Sequence, residues 1–489
     1  MTTTTLSPGL PGLVGGTRPP AVELSRAPSS LSPAKQAFRS IWFAALLAAI
    51  CLEGLGRRYL PAVPSAAFYF LKDVVLLIGL IRFRINPDVK RTFISLYGGY
   101  LPFLKLGILW TVAEIINPDQ KSFVLGVLGV RAYWFWWLAP LVIASVLLDP
   151  TVRRKVIMLQ SAVTMIVALL AMLQFGAPAS DDLNTYSVVD GEKSLGIEIS
   201  STGRARVSST FSFISGFSDF AVLVPVLLLC LGLGEQNKKA RFAALIAMLF
   251  AAAALPMSGS RGPFLLTLAL CAMVAWRTGL VLTRVGRRII VVAVAAGFIS
   301  VFAFPDALQG VMDRFEGDDT EGRMVEFLTV LPPVALAKSE DYAPLGDGTG
   351  MMQNYRGQFG VQEDLHTAEG EVGRYLVELG PVGYLLVWLA KLGLVVVLWR
   401  AAKILKKAGR RAASACALAY ALLGLYGSLV FDHIYCALFF VGFGFVLQET
   451  VQAQMQLKAL ARSHHREKAI PATANGTVGL LPAPAPASG

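Results

Sequence analysis

The sequence predicts an all-α polytopic membrane protein, with about twelve transmembrane helices and a large loop outside the bilayer that carries short helices. Three observations predict it. Hydrophobic residues make up 55% and charged residues 16% of the 489 positions, and the mean hydropathy is +0.59. A water-soluble chain of this length does not hide so much apolar surface. Apolar runs of roughly 17–25 residues, the length that crosses a bilayer, recur along it. Basic residues gather in alternate connections between those runs, as they do on the cytosolic side of membrane proteins.

The expected spans lie near 41–56, 66–82, 92–116, 122–148, 156–175, 211–234, 241–257, 263–280, 288–304, 372–399, 412–430 and 434–453. Arg82, Arg84, Lys90 and Arg91 follow the second span, Arg153, Arg154 and Lys155 the fourth, and Lys238, Lys239 and Arg241 the sixth. Arg277, Arg284, Arg287 and Arg288 follow the eighth. Arg400, Lys403, Lys406, Lys407, Arg410 and Arg411 follow the tenth. Every cluster falls between an even-numbered span and the next, which puts both termini in the cytosol. Arg57 and Arg58, after the first span, are the exception.

The chain then divides simply. Residues 1–40 form a disordered cytosolic head rich in Pro, Ser, Thr and Gly, too long and broken for the charged start of a signal peptide. Residues 41–304 hold the first nine spans, with an outer loop at about 176–210. Residues 305–371 form a large, acid-rich outer loop. Residues 372–453 hold the last three spans, and 454–489 form a basic, then low-complexity, cytosolic tail. No internal repeat is visible. The net charge of +12 is spent on sidedness, so nucleic acid is excluded as a partner. Cys51, Cys230, Cys271, Cys416 and Cys436 lie in or near apolar runs without a CxxC pair and act as small apolar fillers. No HExxH, CxxC or nucleotide-fold carboxylate dyad appears, so no metal or other cofactor is expected.

On the outer side, several residues carry the polar chemistry that the apolar runs lack. Arg261, in Ser258-Gly-Ser-Arg-Gly262, offers a planar guanidinium suited to phosphate oxygens; an arginine snorkelling to headgroups would read the same way. Arg323, in Thr320-Glu-Gly-Arg-Met324, has Glu321 and Glu326 as competing ion-pair partners. His366 is the only histidine in the large loop, and an imidazole titrates near neutrality; a solvated loop histidine is the plain alternative. His433, between the last two spans, is a weaker rival, and His464 and His465 belong to the cytosolic tail. Within the spans, Glu114 and Arg131 are candidates to pair with each other, and Arg374 and Glu378 to pair along one helix face. Lys105 has no evident partner in sequence. Gly346-Asp-Gly-Thr-Gly350 has the look of a phosphate-cradling loop, although any flexible turn gives that pattern.

Ser258-Gly-Ser-Arg-Gly-Pro263, Glu321-Gly-Arg323, Leu345-Gly-Asp-Gly348, His366 and Glu378-Leu-Gly-Pro-Val-Gly383 occur in an order and spacing that resemble the O-antigen ligase and Wzy-type polysaccharide polymerase superfamily. Leu128-Gly-Val-Arg-Ala-Tyr133 resembles an arginine motif of the same family. The resemblance covers roughly residues 120–450. It implies a bacterial inner-membrane, metal-independent glycosyltransferase of GT-C-like architecture, working at the periplasmic face. The implied donor is an undecaprenyl-pyrophosphate-linked glycan, and the implied acceptor is a hydroxyl of a glycan or lipid. Membrane lipid and other polysaccharide assembly proteins are the further partners it implies.

By that resemblance Arg261 and Arg323 grip the pyrophosphate and His366 is the outer-loop histidine, the three forming the catalytic set. The family commonly has His-Asn before a hydrophobic residue, whereas Thr367-Ala-Glu-Gly-Glu371 follows here, so Glu369 or Glu371 could share the proton. Arg131, Arg204, Arg206, Glu369, Glu371 and Arg374 are the candidate substrate-binding residues. The expected activity is polymerisation or transfer of lipid-linked repeat units in exopolysaccharide or O-antigen synthesis. The alternatives are an O-antigen ligase acting on a lipid A core or other terminal acceptor, a lipid-linked oligosaccharide flippase, and a structural partner in an envelope assembly.

Overall fold

In a bilayer every backbone N–H and C=O must be satisfied within the protein, and the α-helix does this within one segment. The computed structural model describes residues 31–60, 65–189, 192–195, 202–280, 343–353, 356–359 and 371–469, with scattered positions among 287–312. Among them the longer elements are α1 (Pro33–Cys51), α2 (Glu53–Tyr59), α3 (Ser65–Arg82), α4 (Pro87–Tyr97), α5 (Leu101–Ala113), α6 (Phe123–Trp134), α7 (Ala139–Leu147) and α8 (Pro150–Gly176). A short antiparallel hairpin follows, β1 (Thr185–Val189) and β2 (Glu192–Leu195). Then come α9 (Ile214–Gly234), α10 (Lys238–Ala254), α11 (Arg261–Thr278), α12 (Glu371–Lys407), α13 (Arg411–Tyr426) and α14 (His433–Ala469). The starts of α4 and α8 are written in sequence. Proline occupies the first turn of each, where its missing N–H costs nothing. The Asn86 side chain accepts from Asp88 N at 2.8 Å, and Asp149 accepts from Thr151 N and Val152 N at 2.9 and 3.1 Å.

Among the described residues, eight helical segments are long and apolar enough to cross a membrane. The α4–α5 pair forms one of them and α6–α7 another. The helices α3, α11 and α13 pack in the same bundle but are shorter or more polar. Most of the expected ninth span at 288–304 lies outside the described residues, as do residues 313–342 and 360–370 of the large outer loop.

Two polar layers order the bundle along its axis. In the first, Arg153 pairs with Glu235 and reaches Glu449 at 2.9 Å, while Arg410 reaches Glu449 at 2.5 Å and Gln452 at 3.0 Å. This network ties the start of α8 to the end of α9, the start of α13 and the middle of α14. Lys238, Lys239, Lys406 and Lys407 lie on adjoining helix ends, so this is the basic face. Sixteen residues separate Asp219 from Glu235, and sixteen separate His433 from Glu449. Both intervals amount to about 24 Å of helix. The second layer therefore sits toward the opposite end of a hydrocarbon core roughly 30 Å thick.

The helix that holds the expected span at 372–399 is not straight. A straight helix would hold Glu371 and Lys391 about 30 Å apart, yet Lys391 Nζ lies 2.6 Å from Glu371 Oε2. The helix α12 is doubled back. Its first limb, 371–379, runs beside the upper part of the crossing limb, 381–407. The fold-back is at Gly380, with φ 64° and ψ −179°, a conformation open in practice to glycine alone. Pro381 follows and has no N–H to offer Val377.

The carbonyls freed there find substitutes. Asp347 N donates to Val377 O at 2.7 Å, Gly348 N to Glu378 O at 3.1 Å, and Trp110 Nε1 to Leu379 O at 3.2 Å. The glycine-rich loop is thus docked on the broken helix, with Gly346, Gly348 and Gly350 at φ of 77°, 97° and 88°. The phosphate-cradling reading of that loop gives way, because the N–H groups of Asp347 and Gly348 are committed to helix carbonyls.

Replacing Gly380 by Ala is expected to cost about 1–3 kcal/mol in backbone strain. A Cβ there would also sit 2.2 Å from Pro344 O, so the measured loss should exceed the strain alone. Thermal unfolding of the purified protein in detergent reads the loss as a lower Tm. An unchanged Tm would contradict the fold-back.

Candidate functional site

The face opposite the basic network is assembled from loops pinned to helix ends. Leu55 N donates to Thr210 O and Val207 N to Met257 O, at 3.2 and 3.3 Å. The stretch before α9 is thereby tied to α2 and to the 255–260 turn. Arg57 and Arg58, the two basic residues out of place by charge parity, are used in this assembly. Arg57 donates to Ser212 Oγ at 3.1 Å, and Arg58 donates to Leu183 O and Ser208 Oγ at 3.0 and 3.1 Å.

Beneath these loops lies the second polar layer, in which Lys72, Arg131 and Lys391 each pair with a carboxylate. Lys72 is fully buried and donates to Glu53 Oε2 at 2.7 Å and to Tyr69 O at 2.8 Å. Arg131 forms an ion pair with Asp73, whose other oxygen accepts from Trp136 Nε1 at 2.8 Å. The Arg131 guanidinium lies 5.3 Å from the Tyr69 ring centre and 4.9 Å from that of Phe70, a cation–π arrangement. The expected Glu114–Arg131 pair does not form. Glu114 instead accepts from Asn117 Nδ2 at 2.5 Å, because α3 brings Asp73 to the arginine first.

Glu371, a candidate for substrate binding, is committed inside the protein. It accepts from Tyr375 Oη at 2.6 Å, from Lys391 Nζ at 2.6 Å and from Leu429 N at 2.8 Å. The Lys391 ammonium also donates to Gly427 O at 2.8 Å. Glu378 accepts from Met352 N at 2.7 Å and Tyr133 Oη at 2.9 Å, so its hydrogen bonds run to α6 and the glycine-rich loop. Arg374 lies 5.4 Å from the Phe431 ring centre.

The arginines near the 255–260 turn divide between core and margin. Arg206 donates to Ser258 O at 3.1 Å and Ser260 Oγ at 2.9 Å. Ser260 also meets Ser218 Oγ at 3.3 Å, and Arg261 follows directly as the first residue of α11. Arg206 therefore holds, above α9, the serine that directly precedes Arg261. Arg204 engages Asp306 at 3.2 Å and Gly176 O at 3.3 Å, with both charged side chains more than a third exposed, and so stands at the margin. Lys105 lies on the exposed side of α5, where a lysine can extend its ammonium along apolar surface to water. Arg323, His366 and Glu369 lie outside the described residues.

Glu53, Lys72, Asp73, Asp219, Lys391 and Asp432 complete the layer and were not among the residues expected from sequence. A signal existed: Asp219 and the Lys72-Asp73 pair interrupt apolar runs, and charge inside a span marks a partner or a function. Asp219 faces Asp432, which also caps α14 by accepting from Ile434 N and Tyr435 N at 3.1 and 3.0 Å. His433 Nε2 meets Gln353 Oε1 at 3.2 Å, and its ring stands edge-on to Tyr69 with centroids 4.7 Å apart. No family model matches the chain, and no curated protein matches it.

Because Glu371 is saturated by internal donors, Glu371→Gln is expected to act on stability. It strands the Lys391 charge, and breaking a buried pair from one side costs about 3–5 kcal/mol. Adding Lys391→Met should recover most of that loss. Tm values of the two single variants and the double variant form the test, and a double variant no more stable than Glu371→Gln would contradict the pairing.

Proposed function

We propose that the chain is a metal-independent glycosyltransferase of the polysaccharide polymerase or ligase type. In this reading the loop face is periplasmic, the basic face and both termini are cytosolic, and the membrane is a bacterial inner membrane. The donor is an undecaprenyl-pyrophosphate-linked glycan, whose lipid tail needs a bilayer path and whose pyrophosphate needs fixed positive charge at the outer leaflet. The observation that carries the reading is that Arg206 bonds Ser260, the residue directly before Arg261, so that two arginines belong to one turn at the end of the bundle away from the basic network.

Guanidinium groups set beforehand where charge develops on a leaving group stabilise the transition state without a metal. In the reaction the bond between the sugar anomeric carbon and the phosphate oxygen breaks. A new bond forms from that carbon to the acceptor oxygen. Undecaprenyl pyrophosphate leaves, and the hydroxyl proton passes to a base, for which His366 is the sequence candidate. An exopolysaccharide polymerase is the preferred form. A ligase would differ only in taking a lipid A core or another terminal acceptor.

The buried charges of the second layer favour one rival, a lipid-linked oligosaccharide flippase, since transporters keep charge within the bundle. Transporter sites lie near the bilayer midplane, however, and this layer lies about 24 Å from the basic network. That offset favours chemistry at one face.

Purified protein given a defined lipid-linked repeat unit should yield longer glycans, and Arg261→Ala, Arg323→Ala and His366→Ala should each abolish them while still inserting in the membrane. Full-length product from all three variants would overturn the site. In a deletion strain, lipid-linked units should accumulate on the periplasmic leaflet; retention on the cytosolic leaflet would point to the flippase.

A further inference from the structure

The segment that carries Arg206 holds a backbone conformation its residues do not favour. Ser209 has φ 53°, the single positive φ outside glycine among the described residues. There a Cβ crowds the following carbonyl oxygen, and such a residue persists only where its surroundings over-determine it. Gln174, at the end of α8, does so. Its Oε1 accepts from Ser209 N at 2.7 Å, and its Nε2 donates to Ser209 O at 3.3 Å and to Leu183 O at 2.6 Å. One N–H and two carbonyls fix which end of the amide is oxygen. Ser209 Oγ donates to Val167 O, two turns back on α8, at 2.6 Å. Gln174 and Ser209 are both fully buried.

Arg206 stands three residues before Ser209, on the same pinned segment. Arg206 Nε and Nη2 donate to Ser258 O and Ser260 Oγ, and Val207 N donates to Met257 O. Ser208, Ser209 and Thr210 are buried, whereas Arg206 and Arg261 are only partly so. The closed side of the segment is thus held by Gln174, and the open side presents the cation. A return of Ser209 to an ordinary negative φ would swing the preceding chain by roughly 110° and take Arg206 out of register with the 255–260 turn.

We propose that Gln174 is a positioning residue for the diphosphate site: by clamping Ser209 at positive φ it fixes the place from which Arg206 joins Ser260 beside Arg261. The inference rests on the transferase reading for the identity of the anion, the diphosphate of a lipid carrier. Donors set before the anion arrives need no reorganisation when charge develops on it, and that is what the clamp secures. Gln174 touches no substrate; it acts through the backbone that bears Arg206.

The test uses the full chain in detergent, with Tm followed as inorganic pyrophosphate is added. The wild type should show a saturable rise. Arg206→Ala should raise the half-maximal pyrophosphate concentration about tenfold, the loss of one hydrogen bond to a charged group. Gln174→Met should raise it by a similar factor, and should cost nothing further when added to Arg206→Ala; a residue that merely stabilised the fold would weaken binding in both backgrounds alike. Glycine adopts positive φ without strain, so adding Ser209→Gly to Gln174→Met should bring the midpoint back toward the wild-type value. Gln174→Asn, one methylene shorter, carries the same expectations if Gln174→Met fails to fold. A wild-type midpoint in the Gln174 variants, full additivity with Arg206→Ala, or no recovery with Ser209→Gly overturns the positioning role and leaves the diphosphate site standing. A wild type with no saturable rise overturns the diphosphate site itself, and the positioning role with it.

Discussion

A broken helix in a membrane protein survives only if something else bonds its freed carbonyls, and the organisation of the loop face depends on how that is done at Gly380. Asp347, Gly348 and Trp110 supply the donors that Pro381 and its neighbours do not. This single set of bonds fixes three things together. It lets α12 double back, it docks the glycine-rich loop, and it brings Trp110 of α5 against both. Gln353 is then held beside His433, and Glu371 is set at the depth of Lys391 and Leu429. Without the fold-back, Glu371 would stand a helix length away from the groups it joins.

Charge is the second organising force. The bundle carries two layers of charged side chains, and in each the carboxylates and cations are drawn from different helices or, in α12, from its two limbs. Lys72 with Glu53, Arg131 with Asp73, and Lys391 with Glu371 tie the upper layer. Arg153 and Arg410, sharing Glu449, tie the lower one. Such pairs add little net stability over apolar packing, but once present each is expensive to break from one side. They specify which helix ends meet, and that in turn sets where the loops above can lie.

The class of fold was legible in the sequence because hydropathy and charge parity are local signals. The capped starts of α4 and α8 were equally local, in Asn86-Pro and Asp149-Pro. The fold-back was not legible, although Gly380-Pro381 marks the place: a periodic apolar stretch reads the same whether it runs straight or doubles on itself. Pairing was harder still. Arg131 had Glu114 as its near neighbour in sequence, but the third helix delivers Asp73, and no local pattern reports which helices will touch. For the same reason Glu371 looked available beside His366 and proves to be bonded on three sides. The glycine-rich loop misled because glycines that admit a phosphate and glycines that admit a neighbouring helix are indistinguishable without coordinates. Arg261 and Arg206 were expected singly, and the bond of Arg206 to Ser260, the neighbour of Arg261, depends on the pinned segment before α9.

The clasp made by Arg153, Glu235, Glu449 and Arg410 has a consequence for motion. It closes one end of the bundle with salt links drawn from four helix segments, while the polar groups of the other end lie under loops. Any movement that separated these helix segments at this end would have to break Glu449 from Arg153 and Arg410 together.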